Sequence, residues 1–236
     1  MAITSFSNML KRELKTYFVS PIAYIVTVIY LIVTGWFFFS TFFLSGRLDL
    51  RDFFSLLPIV LVFFVPAITM RLYSEEYTIG SIEIITTLPV TRLSILASKY
   101  LAALIFVLSM LALTIAYPIS ISGLGPLDWG PVVGGYLGAV LLAALYTSIG
   151  VFTSSLTKNQ IVAFIGATAI CFFFYIIDKI VFLLPAFLAD LLQFLGADYH
   201  FGNFEKGLID LRDVVYFLSL ATVALFGTYI VSRERQ

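Results

Sequence analysis

Side chains able to do chemistry are few in this sequence, and they are scattered. His200 is the single histidine, and Asp210, Arg212 and Asp213 follow it. A hydrolytic metal needs about three protein ligands held together, so one histidine with separated acids gives a metal site little support. Neither H-E-x-x-H nor G-x-S-x-G occurs. A serine of an apolar run could still be activated by His200, as in an intramembrane enzyme, provided the two meet within hydrogen-bond reach. The plainer reading is structural: Asp210 or Asp213 pairs with Arg212 at the start of a helix, an exposed pair contributing at most about 1 kcal/mol. A surface that meets a partner is the other reading of this region. Cys171 sits beside Phe172, Phe173 and Phe174 and is expected to pack. No G-x-x-x-x-G-K-[ST] occurs, so the chain brings no ATP site of that kind and is expected to carry no cofactor of its own.

These residues are set in a chain that is 61% hydrophobic and 12% charged, against roughly 25% charged in soluble domains. Six apolar runs, at about 21–43, 53–72, 95–121, 132–152, 161–184 and 211–231, are each long enough to cross a hydrocarbon layer of about 30 Å as a helix. Continuous apolar runs with no period of two exclude a β-barrel. The expected fold is an all-α integral membrane domain over residues 1–236 with six transmembrane helices. The first run is too long for a signal-peptide core and is expected to stay. Asp178 and Lys179 are the main charges inside the runs, near the end of the fifth, and are expected to be solvated or paired with each other.

Six spans put both termini on one side, with the loops around 74–90 and 153–160. That side holds nine of the fourteen basic residues: Lys11, Arg12, Lys15, Arg71, Arg92, Lys99, Lys158, Arg233 and Arg235. The excess of Lys and Arg predicts that this side, termini included, is cytoplasmic. Within about 5–18, Phe6, Met9, Leu10, Leu14, Tyr17 and Phe18 recur at helical spacing, opposite Lys11, Arg12 and Lys15. An interfacial helix on the cytoplasmic leaflet follows, serving as an anchor or a lever. Gly134 and Gly138 form a small-xxx-small pair that lets helices approach closely, within the subunit or between subunits. The 185–213 segment is too polar for a span, and its apolar pattern predicts short helices at the outer leaflet.

A polar, mildly amphipathic interruption falls at SEEYTIGSIEIITTLPV, residues 74–90. Ser74 is expected to cap a short extension of the second span, with Glu75 and Glu76 in the favourable first turn. Gly80 breaks that run, Ser81 caps a short helix carrying Ile82, Glu83 and Leu88, and Pro89 ends it. Thr91 then caps the third span. The isoleucines argue against a mere solvated connector, and leave docking to a protein or to the leaflet open.

At these residues the sequence resembles a known family. Residues 75–90 look like the EE-x3-G-[ST]-[IL]-E-x-[IL]-x3-P segment of ABC-2 type permeases, the membrane subunits of ATP-driven transporters. KRELKTYFVSPIAYI (11–25) and HFGNFEKGLIDLRDVVYFLSL (200–220) resemble the gliding-motility-associated, GldF-like branch, so the likeness runs from start to end of the chain. The resemblance implies a permease that dimerises, as homodimer or heterodimer, on two copies of a separate ATPase that holds ATP and Mg. It further implies that Gly80, Ser81, Ile82, Glu83, Leu88 and Pro89, beside Glu75 and Glu76, form the coupling helix that docks on the ATPase. The 185–213 region then corresponds to outer re-entrant helices, where an accessory subunit could bind; lipid is a partner, nucleic acid is not. The implied function is export, or transmission of mechanical work, across the inner membrane, without enzymatic activity in this chain. An ATP-independent channel or scaffold, or an intramembrane enzyme using His200, are the alternatives.

Overall fold

The computed structural model describes residues 2–46, 49–80, 91–181 and 192–234. The described residues form helices joined by short turns, with no strand among them. In chain order they are α1 (Ala2–Val19), α2 (Pro21–Ser45), α3 (Arg51–Thr69), α4 (Arg71–Ile79) and α5 (Arg92–Leu113). Then come α6 (Ala116–Ser122), α7 (Trp129–Leu156), α8 (Gln160–Ile180), α9 (Ala197–Glu205) and α10 (Leu211–Glu234).

Local chemistry sets the helix ends. Ser20 is extended, with φ −72° and ψ 124°, and Pro21 opens α2, where its missing N–H costs no intrahelical bond. Gly46 closes α2 in the left-handed region at φ 62°, its N–H donating to Phe42 O. Thr91 caps α5 by accepting from Ser94 N at 3.3 Å. Asp128 and Asn159 cap α7 and α8 by accepting from Gly130 N and Ile161 N.

Among the described residues six helices or helix pairs are long and apolar enough to cross a membrane. They are Pro21–Leu44, Arg51–Ile79, Arg92–Ser122, Trp129–Leu156, Gln160–Ile180 and Leu211–Arg233. The second continues through α4, well past the 53–72 run, and the third joins α5 to α6 across a break at Thr114 and Ile115. Helix α7 is the axis of the bundle, packing against α3, α4, α5, α8, α9 and α10. Small residues on α7 make that possible. A side chain at Gly150 would collide with Thr69 of α3, and Ala139, Ala143, Thr147 and Ser148 are wholly buried. By contrast, α2 presents Ile22, Tyr24, Ile25, Ile29, Ile32 and Trp36 outward, an apolar face suited to lipid.

Helix α1 packs along α5, with Met9 against Ile95, and Tyr17 stacks on Phe106 at 5.3 Å. The Tyr17 hydroxyl donates to Ile68 O of α3 at 3.1 Å. Lys11, Arg12 and Lys15 remain exposed on the other face. The helix is thus fastened to the bundle by its apolar side.

Candidate functional site

Helix α4 leads into residues 81–90, and the way it is held defines the site. Met70 is a turn residue between α3 and α4, and this break in the helical ladder leaves amide groups at the start of α4 open to a side-chain acceptor. Ser154 of α7 supplies the missing partner: its Oγ accepts from Tyr73 N at 3.0 Å and Ser74 N at 3.2 Å, and donates to Met70 O at 2.9 Å. Ser74 is therefore not the expected cap. It lies buried in the second turn of α4, its hydroxyl donating to Met70 O, because the chain keeps helical dihedrals through Met70. Thr78, further along α4, donates to Lys158 O at 2.7 Å. Gly80 ends the helix at φ 75°, a conformation in which a side chain would be strained.

The polar face of α4 meets a buried ion cluster. Lys99 of α5 is 1% exposed, and its Nζ donates to Glu76 Oε1 at 2.6 Å and to Leu72 O at 2.9 Å. Glu13 Oε1 of α1 lies 3.5 Å from the same ammonium and 2.9 Å from Arg12 Nη2, while Arg12 also lies 3.6 Å from Glu76. The ring of Tyr73 stands 5.4 Å from Nζ. Lys99, Glu13 and Glu76, from three helices, thus meet largely out of water, with the half-exposed Arg12 at the edge of the cluster. On the outer side of α4, Arg71 pairs with Glu75 at 3.4 Å, one helical turn away, and reaches Gln160 at the start of α8. Burial pushes the Tyr17 hydroxyl far above its usual titration range, with the Glu13 carboxylate adding to the shift, so it stays a neutral donor.

At the opposite end of α7, Gly134 and Gly138 face α9 and the turn after it. A methyl on Gly134 would stand 2.6 Å from Phe204 O and 2.9 Å from Gly207 Cα; one on Gly138 would stand 2.6 Å from Phe204 Cβ. His200 lies within α9 rather than in a loop, and is 1% exposed. Its Nδ1 is 2.6 Å from Asp213 Oδ1 and its Nε2 is 2.9 Å from Phe194 O, with the Tyr216 ring stacked on it at 3.9 Å. Both nitrogens are engaged and neither meets a serine, so the hydroxyl-activating reading of His200 finds no geometry. Asn203 Nδ2 donates to the other Asp213 oxygen at 2.9 Å.

The expected Arg212 pairing with Asp213 is corrected accordingly. Successive residues on a helix point in different directions, so Asp213 turns inward to His200. Asp210 instead accepts from the Arg212 backbone N at 2.9 Å. The same geometry separates Asp178 from Lys179, and Lys179 reaches across to Asp198 at 2.7 Å.

Of the residues singled out from sequence, the structure brings Glu76 and Arg12 together and sets Glu75 and Gly80 on the same helix. Ser81, Ile82, Glu83, Leu88 and Pro89 lie outside the described residues. Glu13 and Ser154 were not singled out, and Lys99 counted only toward the charge balance. A lysine about one turn inside the 95–121 apolar run was the available signal for Lys99; nothing local marks Ser154. Among the described residues no cluster of His, Cys, Asp or Glu is arranged to hold a metal.

A bundle of apolar helices threaded around α7, with its charges gathered at the ends, is a multi-pass membrane protein. Residues 58–201 match the family model described as ABC-2 family transporter protein, and the chain belongs to that family. Its members are membrane permease subunits that normally work with an ABC ATPase. No curated protein matches the chain.

Proposed function

We propose that this chain is the permease subunit of a transporter driven by a separate ATPase, and that it receives the ATPase's work through α4 and residues 81–90. The supporting observation is the Glu76–Lys99–Glu13 cluster, which ties α4 to α5 and α1 at the foot of the segment that would dock. A push on residues 81–90 moves α4. Helix α4 cannot move without carrying α1 and α5, or breaking a buried ion cluster, or leaving Ser154. A nucleotide in the partner shifts the permease only if the partner contacts its two states differently, and a rigidly fastened stem converts that difference into motion of spans.

The finer reading is a GldF-like permease in the inner membrane with both termini cytoplasmic, paired with a second permease and two ATPase copies. Its support is the Lys and Arg excess near the termini and 74–90, together with the motifs at 11–25 and 200–220. The chain exports a substrate or transmits mechanical work to an outer subunit. Co-reconstitution with the ATPase tests the reading: deleting residues 82–88, or introducing Glu83→Lys, abolishes stimulation of ATP hydrolysis while membrane insertion persists. Full stimulation in either variant would refute it.

A further inference from the structure

A cleft of about 450 Å³ opens in the elbow where α1 turns at Ser20 into α2, walled on its far side by α3, α4 and α5. That volume lies in the range of small-ligand sites, roughly 300–1,000 Å³. Its deep wall is apolar, formed by Ala23, Val26, Ala67 and Phe106. Its rim alternates in charge, with the guanidinium groups of Arg12 and Arg71 beside the carboxylates of Glu75 and Glu76. Glu76 is turned inward to Lys99, while Glu75 remains 40% exposed on the rim beside Arg71.

We infer that this elbow cleft binds one membrane phospholipid whose headgroup carries a primary ammonium. The phosphate matches the forked guanidinium donors of Arg12 and Arg71. The ammonium brings three N–H donors for the exposed carboxylate of Glu75, which a quaternary choline group lacks. The volume accommodates a headgroup and the start of the acyl chains. The chains then continue along α2, where Ile22, Ile25 and Ile29 share a face and are 46%, 58% and 48% exposed. The bilayer in which the six apolar helices sit supplies the occupant. The inference depends on that membrane setting and not on the ATPase partnership. A lipid seated there touches α1 and α4 at once, so it braces the elbow against the ion cluster.

The test is native mass spectrometry of the full chain, stripped of lipid in detergent and titrated in turn with phosphatidylethanolamine, phosphatidylglycerol and phosphatidylcholine. One phosphatidylethanolamine is expected to bind per chain, at least tenfold tighter than either of the others. Ala67→Phe, which fills the wall, and Thr16→Trp, which blocks the rim from an exposed position, each weaken it at least tenfold. Thr16→Trp keeps the unfolding temperature of the parent, so its result decides even if the wall variant fails to fold. Equal affinity for the three lipids, no retained lipid, or unchanged binding by Thr16→Trp would overturn the assignment.

Discussion

Lys99 Nζ stands 2.6 Å from Glu76 Oε1 and 3.5 Å from Glu13 Oε1, so one ammonium links a stem helix to an N-terminal helix through a third. Removing one member of a buried ion group leaves the others uncompensated, which costs about 3–5 kcal/mol, more than the group contributes relative to an apolar replacement. Lys99→Met should therefore destabilise the protein by about that amount in detergent unfolding. Adding Glu76→Gln to it should recover at least half. A single-variant loss within about 1 kcal/mol would show that the cluster is wetter than its burial implies.

The Ser154 staple gives an independent handle on α4. Ser154→Ala removes the acceptor for two buried amide groups, and an unsatisfied buried group costs roughly 1–3 kcal/mol. Amide hydrogen exchange at Tyr73 and Ser74 should quicken while that of α10 stays unchanged. Under the proposed function, stimulation of the ATPase also falls, because a loosened stem absorbs motion instead of passing it on.

Much of the fold was legible because its physics is local. A bilayer accepts only chains that satisfy their own backbone groups, so six apolar runs imply six helices, and Thr91 marks a helix start by its side chain alone. What was hidden depends on which face a residue occupies after packing. Ser74 has the composition of a cap but sits mid-helix, since the break at Met70 does not stop the helical path. Asp213 and Arg212 are adjacent in sequence and diverge in space. In the sequence, Lys99 counts only toward the basic excess of one side. Its partners come from positions 13 and 76, which only tertiary contact brings near.

Close approach at Gly134 predicts a graded series. Gly134→Ala places a methyl against backbone atoms of Phe204 and Gly207, which cannot rotate away, and overpacking of this kind costs roughly 1–3 kcal/mol. Gly138→Ala meets Phe204 Cβ at 2.6 Å and should cost a similar amount. Gly202→Ala, in α9 with open space around it, should be neutral or stabilising, since alanine is the better helix former. Unfolding temperatures of the three variants check the order; equal values would mean that α7 and α9 separate readily.

Glu205, half-buried at the end of α9, sets a pH dependence. Burial pushes its carboxyl up to about 7, with Asp198 adding to the shift and Lys206 and Arg51 opposing it. In the unfolded chain the group titrates near 4.5. The folded state holds the proton more tightly, so this contribution to stability is complete below about 4.5 and is lost as pH rises through about 7. Glu205→Gln keeps the shape and removes the titration. The variant and parent should therefore unfold at similar temperatures near pH 4.5, and the variant should gain steadily up to pH 7 and hold that lead above it. Parallel curves from pH 4.5 to 8 would place the carboxyl in water, and a lead for the parent at high pH would mean that Glu205 is paired with a cation instead.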